Sequence, residues 1–478
     1  MKPLRDLLPF LAIPPVLYSF IVSVLNDDVH VFLAVGRIAD YFGSFPACID
    51  LAWESKPIGN RLIFYLLAKI IQPVIGNEFL VQVWTKAIAA AVAIVICAYF
   101  AIQVSRKLKS SNPYWIFVIT VLAVLTLHPV NILETEFQAL LMALLAVALL
   151  LSDRKWAHYL AGAVMLGIIL VKLITIVFIP LVIVTWLLTE RFLVVSKVER
   201  LFYGFLVATG IFAVSCLIWF HNFVGDTLLL LSIGHPSSMS MAAQLVLLVL
   251  KSPGVIWYIP VLFPGLIATV LLVRDEFRTG NRARAAAILF SWAFALTIAF
   301  VQVEFWIYQY LPLVFPAITA MLLLMESRGK DAWNLFLAFV GIMLVIWFVA
   351  CSVFIVPHLG QWSGLEHDRS VILVNYPSIT SQKLLYLDSG DAPYFIGAPS
   401  ACRYVAPIVI QRATNWNPGI ARTDAYRDEM DCISSYNGRF IIFDSGWFGT
   451  HEPVNSKIND EYKQVYQGSQ WSLYQRMG

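Results

Sequence analysis

Long apolar runs alternate with short polar breaks along most of the chain. The runs fall at 8–25, 81–104, 114–128, 136–152, 157–172, 174–189, 201–221, 255–273, 285–303, 306–325 and 333–356. Many reach the ~18 apolar residues that mark a membrane-spanning helix. Two further apolar stretches, 57–76 and 241–250, are too short or too interrupted to cross, and read as helices lying at the membrane interface. The first run has Pro14 and Pro15 inside it and no small-residue cleavage site, so it reads as a retained span rather than a signal peptide.

The stretch 157–189 decides the topology. As two spans, it puts the basic loops RKLK (106–109), DRK (153–155), ERFLVVSKVER (190–200), RDEFRTGNRAR (274–284) and SRGK (327–330) on the side of the N-terminus. Loops rich in Lys and Arg stay in the cytoplasm. An odd number of spans then sends the C-terminus out. After residue 357 the apolar runs shorten to KLLYLD (383–388) and RFIIFD (439–444), separated by Gly, Pro, Asn and Asp, which reads as strands and turns. The expected fold is mostly α: a polytopic membrane protein of about eleven transmembrane helices plus interfacial helices. Residues 1–357 form the transmembrane domain and 358–478 a small extracytoplasmic mixed α/β domain, in a multi-pass protein of the plasma (inner) membrane.

Composition supports the membrane reading: 59% of the 478 residues are hydrophobic and only 13% are charged, against about 45–50% apolar in soluble domains. The net charge of +3 carries no signature of nucleic acid. Cys97, Cys216 and Cys351 lie in apolar runs and read as packing residues. Cys48, Cys402 and Cys432 lie in polar segments. In an oxidising compartment Cys402 and Cys432 pair; otherwise they are two free thiols. The sequence has no N-x-S/T sequon, no low-complexity segment and no internal repeat of the kind many transporters carry.

Against this background the acid-rich stretch Asn26–Arg61 stands out, because charge beside a bilayer is costly unless it faces water or a site. The expected topology puts Asp27, Asp28, Lys56 and Arg61 on one membrane face with Glu134 and Glu136 of HPVNILETEF, Lys172, Glu304, Tyr308 and Tyr310. Each has a plainer reading. An acid after a span is often a solvated loop residue, Lys172 snorkels to headgroups, and Lys56-Pro57 starts a helix. Glu134 and Glu136, two apart, point in different directions on a helix, so at most one is expected to face a site. His221, Asp226 and His235 match no metal-ligand spacing. Together the set suits group transfer from a lipid-borne donor. A carboxylate takes a proton from the acceptor hydroxyl, cations hold the departing phosphate, and aromatic residues such as Trp53 stack on sugar.

The sequence resembles the integral-membrane glycosyltransferases of the GT-C superfamily, in the branch of protein O-mannosyltransferases and aminoarabinose transferases. Five elements in order carry the resemblance: Asp27-Asp28 with Lys56-Pro57, TEFQALLMALLAVALL (135–150), GIILVKLITIVFIPLVI (167–183), YQYLPLVFPAITAMLLL (308–324) and SACRYVAP (400–407). It departs from the family at Asp28, usually Glu, and at Val31, where an aromatic is common. The resemblance implies a sugar donor on polyprenyl phosphate and a lipid, glycan or protein acceptor. It implies catalysis by Asp27, Asp28 and Glu136, with inversion, and donor phosphate binding by Lys56, Arg61, Lys172 and Arg403. His30, Trp53, Glu134, Glu304, Tyr308 and Tyr310 are expected to touch sugar or acceptor. A divalent metal is compatible with this chemistry but not indicated. The alternatives are a ligase or polymerase of lipid-linked oligosaccharides, a transporter of lipid-linked sugars, which would place polar residues at mid-membrane as well, and a non-catalytic scaffold.

Overall fold

The computed structural model describes residues 12–22, 29, 33–34, 58–71, 73–75, 78–108, 113–125, 133–191, 193–220, 258–302, 307–328, 341, 356–404, 406–415, 418–449 and 451–478. The chain divides into two compact units. The first comprises 1–23, 83–214 and 240–356, and the second 24–82, 215–239 and 357–478.

The first unit is a helical bundle. Its described helices are α1 (Ile13–Val22), α3 (Glu78–Lys107, from Val83 on), α4 (Pro113–Leu125), α5 (Thr135–Leu151), α6 (Lys155–Val171), α7 (Phe178–Glu190), α8 (Val195–Trp219, as far as Val214), α9 (Ile259–Arg278), α10 (Arg282–Gln302) and α11 (Val314–Arg328). α2 (Ile58–Ile71) belongs to the second unit. Among the described residues, four helical stretches are long and apolar enough to cross a membrane: Leu80–Lys107, Leu173–Glu190, Val195–Trp219 and Gln309–Arg328. α5 is apolar all round and is buried on almost every side, as expected of a helix at the centre of a bundle. α6, α7 and the turn before α11 pack around it. α9 lies close against α11, where a Cβ on Gly265 would meet Ala317 at 2.4 Å.

The stretch 157–189 is two helices. α6 ends at Val171, Lys172 is fully extended, and a 3₁₀ turn (Leu173–Val177) leads into α7. Glu190 at the far end of α7 bonds Lys197, which also donates to the Leu150 carbonyl at the end of α5. The two helices therefore run back past one another, with Lys172 at their turn.

The end of the bundle away from Lys172 holds the basic loops. Lys107 pairs with Asp153 and Glu190, Lys197 with Glu190, Arg191 with Glu326, Arg328 with Asp275 and Arg284 with Glu276. Trp186 Nε1 adds a hydrogen bond of 3.2 Å to Glu190. Acids of these loops cancel much of their positive charge locally.

In the second unit, α2 buries Phe64, Ala68 and Ile71 and exposes Leu62, Leu66 and Ile70, so it is apolar on two faces. α12 (Val356–Asn375) begins the C-terminal part. KLLYLD and RFIIFD form the strands β1 (Leu385–Leu387) and β2 (Phe440–Phe443), which pair in parallel. With β3 (Tyr462–Gln467) and β4 (Ser472–Arg476) they make a sheet of order β1-β2-β4-β3, antiparallel beyond β2. α13 (Asp391–Ile396), α14 (Ile408–Asn415), α15 (Asp424–Ser435), α16 (Ser445–Phe448) and α17 (Glu452–Glu461) accompany it. Leu385, Leu387, Ile410, Ile433, Ile441 and Ile458 form its core. Cys402 and Cys432 are joined in a disulfide.

One carboxylate ties α12 to the last hairpin. Asp368 is fully buried. It accepts from the backbone N–H groups of Ser469 (3.1 Å), Gln470 (2.8 Å) and Trp471 (3.3 Å) and from the Tyr466 hydroxyl (2.9 Å). A Cβ on Gly468 would lie 2.4 Å from its carboxyl.

Candidate active site

The site grows out of the first turn of α5. Leu133 sits in the left-handed region at φ 66° and reverses the chain just before the helix. Its carbonyl accepts a 2.8 Å hydrogen bond from Gln138 Nε2, which holds the reversal in place. Glu136 then falls in the first helical turn, where the helix dipole favours negative charge. It is completely buried. One carboxylate oxygen accepts from Lys172 Nζ at 2.7 Å and the other from Thr135 Oγ1 at 2.7 Å.

Lys172 comes from 36 residues away. It reaches Glu136 because the helix stops: its extended backbone directs the chain across the end of α5, and the Thr175 hydroxyl bonds the carbonyls of Ile168 and Lys172 to brace the turn. A buried ion pair of this kind is held firmly once formed, since removing one partner strands the other charge at about 3–5 kcal/mol.

A second 3₁₀ turn (Ile307–Leu313) precedes α11 and packs against α5 and α10. α11 runs from this turn to Glu326, which pairs with Arg191 beyond the end of α7. The turn therefore lies at the Glu136 end of the bundle. It buries Gln309 and Tyr310. The Tyr310 hydroxyl has no hydrogen-bond partner among the described residues. A buried hydroxyl left without any partner is costly.

Among the sequence-derived candidates, the structure gathers Glu134, Glu136, Lys172 and Tyr310 at one end of the first unit. Glu134 is buried as well as Glu136, and Glu136 is the one that meets Lys172. Arg403 lies in the second unit, between the buried residues Cys402 and Tyr404. Asp27, Asp28, His30, Trp53, Lys56 and Glu304 lie outside the described residues, as do His221, Asp226 and His235. Arg61 and Tyr308 are placed only as helical backbone. Among the described residues no three His, Cys, Asp or Glu side chains are grouped so as to hold a metal.

Two features escaped the sequence reading. Lys86 is buried near the start of α3, beside buried Thr85. The signal was present: a lysine inside an apolar span is a candidate site residue by default. Thr135 was hidden by its ordinariness, since nothing local distinguishes a threonine that bonds a carboxylate.

No family model matches the sequence, and no curated protein matches it. Solved structures do match. ArnT from Cupriavidus metallidurans bound to undecaprenyl phosphate superposes with a TM-score of 0.54 at 12% identity, covering 99% of this chain and 97% of that one. The apo state of the same protein gives a TM-score of 0.51 at 13% identity, with the same coverage. The chain has the fold of ArnT. At this identity the likeness concerns the fold alone. That fold and the apolar helices support a multi-pass membrane protein, and a small sheet lies near the C-terminus.

Proposed function

We propose that the protein is a GT-C glycosyltransferase that moves a sugar from a polyprenyl-phosphate carrier to an acceptor at the outer face of the plasma membrane, with inversion. The observation that carries this reading is the ion pair of buried Glu136 with half-buried Lys172 at one end of an apolar bundle. A buried carboxylate and an ammonium held together, at the same end of the bundle as a buried tyrosine hydroxyl, suit a phosphate leaving group and a hydroxyl acceptor. The bound undecaprenyl phosphate of the ArnT structure supports a polyprenyl phosphate as the lipid partner. The disulfide in the C-terminal part supports an oxidising surrounding for residues 358–478, and hence a cytoplasmic N-terminus. The domain division proposed is 1–357 in the membrane and 358–478 outside it.

Asp27 is the proposed general base, with Asp28 beside it. Glu136 orients the acceptor and shares the acidic site. Lys56, Lys172, Arg61 and Arg403 contact donor phosphate, and His30, Trp53, Glu134, Glu304, Tyr308 and Tyr310 contact sugar or acceptor. The test is release of polyprenyl phosphate by the purified protein in lipid, given a set of polyprenyl-phosphate sugars. Asp27→Asn and Lys56→Ala are expected to lower turnover by about a hundredfold or more. Full activity in both, in folded protein, sinks the assignment. No turnover by the wild type with broad donor and acceptor coverage favours the oligosaccharide ligase or the transporter.

A further inference from the structure

The element SACRYVAP occupies the surface of the C-terminal part between α13 and α14. Its side chains alternate: Cys402 and Tyr404 are buried, while Ala401 and Arg403 are half-buried. The start of the element is anchored to β1, because Leu384 N–H donates to the Pro399 carbonyl and Ala401 N–H to the Leu384 carbonyl. Ser400 Oγ donates to the Tyr404 carbonyl at 3.2 Å and closes the turn. What remains is to fix the two residues flanking Arg403, and α15 does both. Cys402 is bonded to Cys432. The Tyr404 amide donates to the Glu429 carboxyl. Glu429 and Cys432 are three apart, so they share one helix face. The Tyr404 ring is seated in a second small core with Val409, Ala413, Ile420 and Ala425, the last also on α15.

We infer that the Cys402–Cys432 disulfide and Glu429 form a two-point clamp that positions Arg403 for the donor phosphate. The inference rests on the reading of Arg403 as a donor contact. Residues 402 and 404 are both drawn inward, and Arg403 between them stays half-buried. A guanidinium on a long flexible stem loses much entropy when it binds phosphate, and a backbone fixed on both sides lowers that loss. Glu429 suits its part. Burial pushes its carboxyl up to about 8, so near neutral pH it meets the Tyr404 amide without bringing a charge into the core.

The experiment measures undecaprenyl phosphate binding and donor turnover in lipid nanodiscs for Arg403→Ala, Cys402→Ser/Cys432→Ser, the triple variant, Glu429→Leu and Glu429→Gln. Arg403→Ala is expected to weaken binding about tenfold or more. The cysteine pair variant and Glu429→Leu are expected to weaken it several-fold, through donor KM rather than kcat. Glu429→Gln keeps an acceptor for the Tyr404 amide and binds as wild type. The triple variant is expected to bind no more weakly than Arg403→Ala alone, because a clamp has nothing to position once the guanidinium is gone. Additive losses in the triple variant, or wild-type binding in both the cysteine variant and Glu429→Leu, overturn the clamp and leave the Arg403 reading standing. Wild-type binding and turnover in Arg403→Ala overturn both. Should the cysteine variant fail to fold, Glu429→Leu against Glu429→Gln decides the same question.

Discussion

Glu136 and Glu190 are both buried carboxylates at opposite ends of one helical bundle, and both are held by lysine. They differ in what surrounds the pair. Glu190 takes donors from Lys107, Lys197 and Trp186, and Lys197 also satisfies a helix-terminal carbonyl. Around it Arg191–Glu326, Arg328–Asp275 and Arg284–Glu276 pair off locally. Its partners sit on regular helix ends or in the short link between α7 and α8. Glu136 instead meets a lysine at a break in a helix, at the end where a 3₁₀ turn buries a tyrosine hydroxyl with no hydrogen-bond partner among the described residues. The same chemical pair therefore serves two purposes. A dense network of paired charges on helix ends holds helices together, while a single ion pair set on interrupted backbone leaves room for a reacting group.

The sharpest way to break this contrast is to neutralise each carboxylate. Glu136→Gln is expected to lower donor turnover by about a hundredfold or more, as loss of an electrostatic contact at a reacting centre does. Glu190→Gln is expected to cost about 3–5 kcal/mol of stability, because buried Lys197 loses its charge partner and Lys107 loses one of two, while turnover per folded molecule stays near wild type. Both quantities are read on the same preparations, by donor turnover and by thermal unfolding. Equal turnover losses at the two ends would erase the distinction. A second comparison sharpens it. Glu136→Gln/Lys172→Met removes both charges, so it regains stability relative to either single variant and regains no activity.

Much of this arrangement was legible in the sequence, for physical reasons. The break at Lys172 followed from charge parity, since a single long helix would have put the later basic loops on the wrong side. β1 and β2 followed from two short apolar runs bounded by turn residues. The disulfide was one of two readings of Cys402 and Cys432, and sequence spacing did not decide between them. Other features carried no local signal. Whether Glu134 or Glu136 meets Lys172 depends on how α5 is rotated in the bundle. Tyr310 is one aromatic among many until the 3₁₀ turn buries its hydroxyl. Asp368 reads as a solvated acid of a polar helix, because the amides that satisfy it lie about a hundred residues away.

Asp368 extends the comparison to a carboxylate held without a cation. Three backbone amides and a tyrosine hydroxyl surround it. Asp368→Ala leaves those buried donors unmet and is expected to destabilise the C-terminal part by about 3 kcal/mol. Gly468→Ala is expected to destabilise the same hairpin, since the new methyl collides with the carboxyl. Limited proteolysis and thermal unfolding read both. Combining the two substitutions is expected to cost less than their sum, because Asp368→Ala removes the group that the methyl meets. Additive losses would mean that Asp368 and Gly468 act on separate features of the fold.

Glu429 is the case with least compensation, and it predicts a distinctive pH dependence. It is almost fully buried; one oxygen accepts the Tyr404 amide and the other has no hydrogen-bond partner among the described residues. Burial raises its carboxyl from 4.5 to about 8, with Asp428 adding to the shift. The folded protein therefore holds a proton that the unfolded chain releases. Where the folded state binds more protons, stability falls as pH rises. The fall runs between the two values, from about pH 5 to about pH 8, at no more than about 1.4 kcal/mol per pH unit. Asp388, also raised by burial, tilts the curve the same way. Glu429→Gln cannot ionise, so its stability curve is expected to be flatter than that of the wild type across this range, with the two curves close at the acid end and diverging most at the alkaline end, where the wild type has lost this contribution. Parallel wild-type and Glu429→Gln curves from pH-dependent thermal unfolding would mean that the folded carboxyl titrates near its ordinary value, and that water or a cation reaches it.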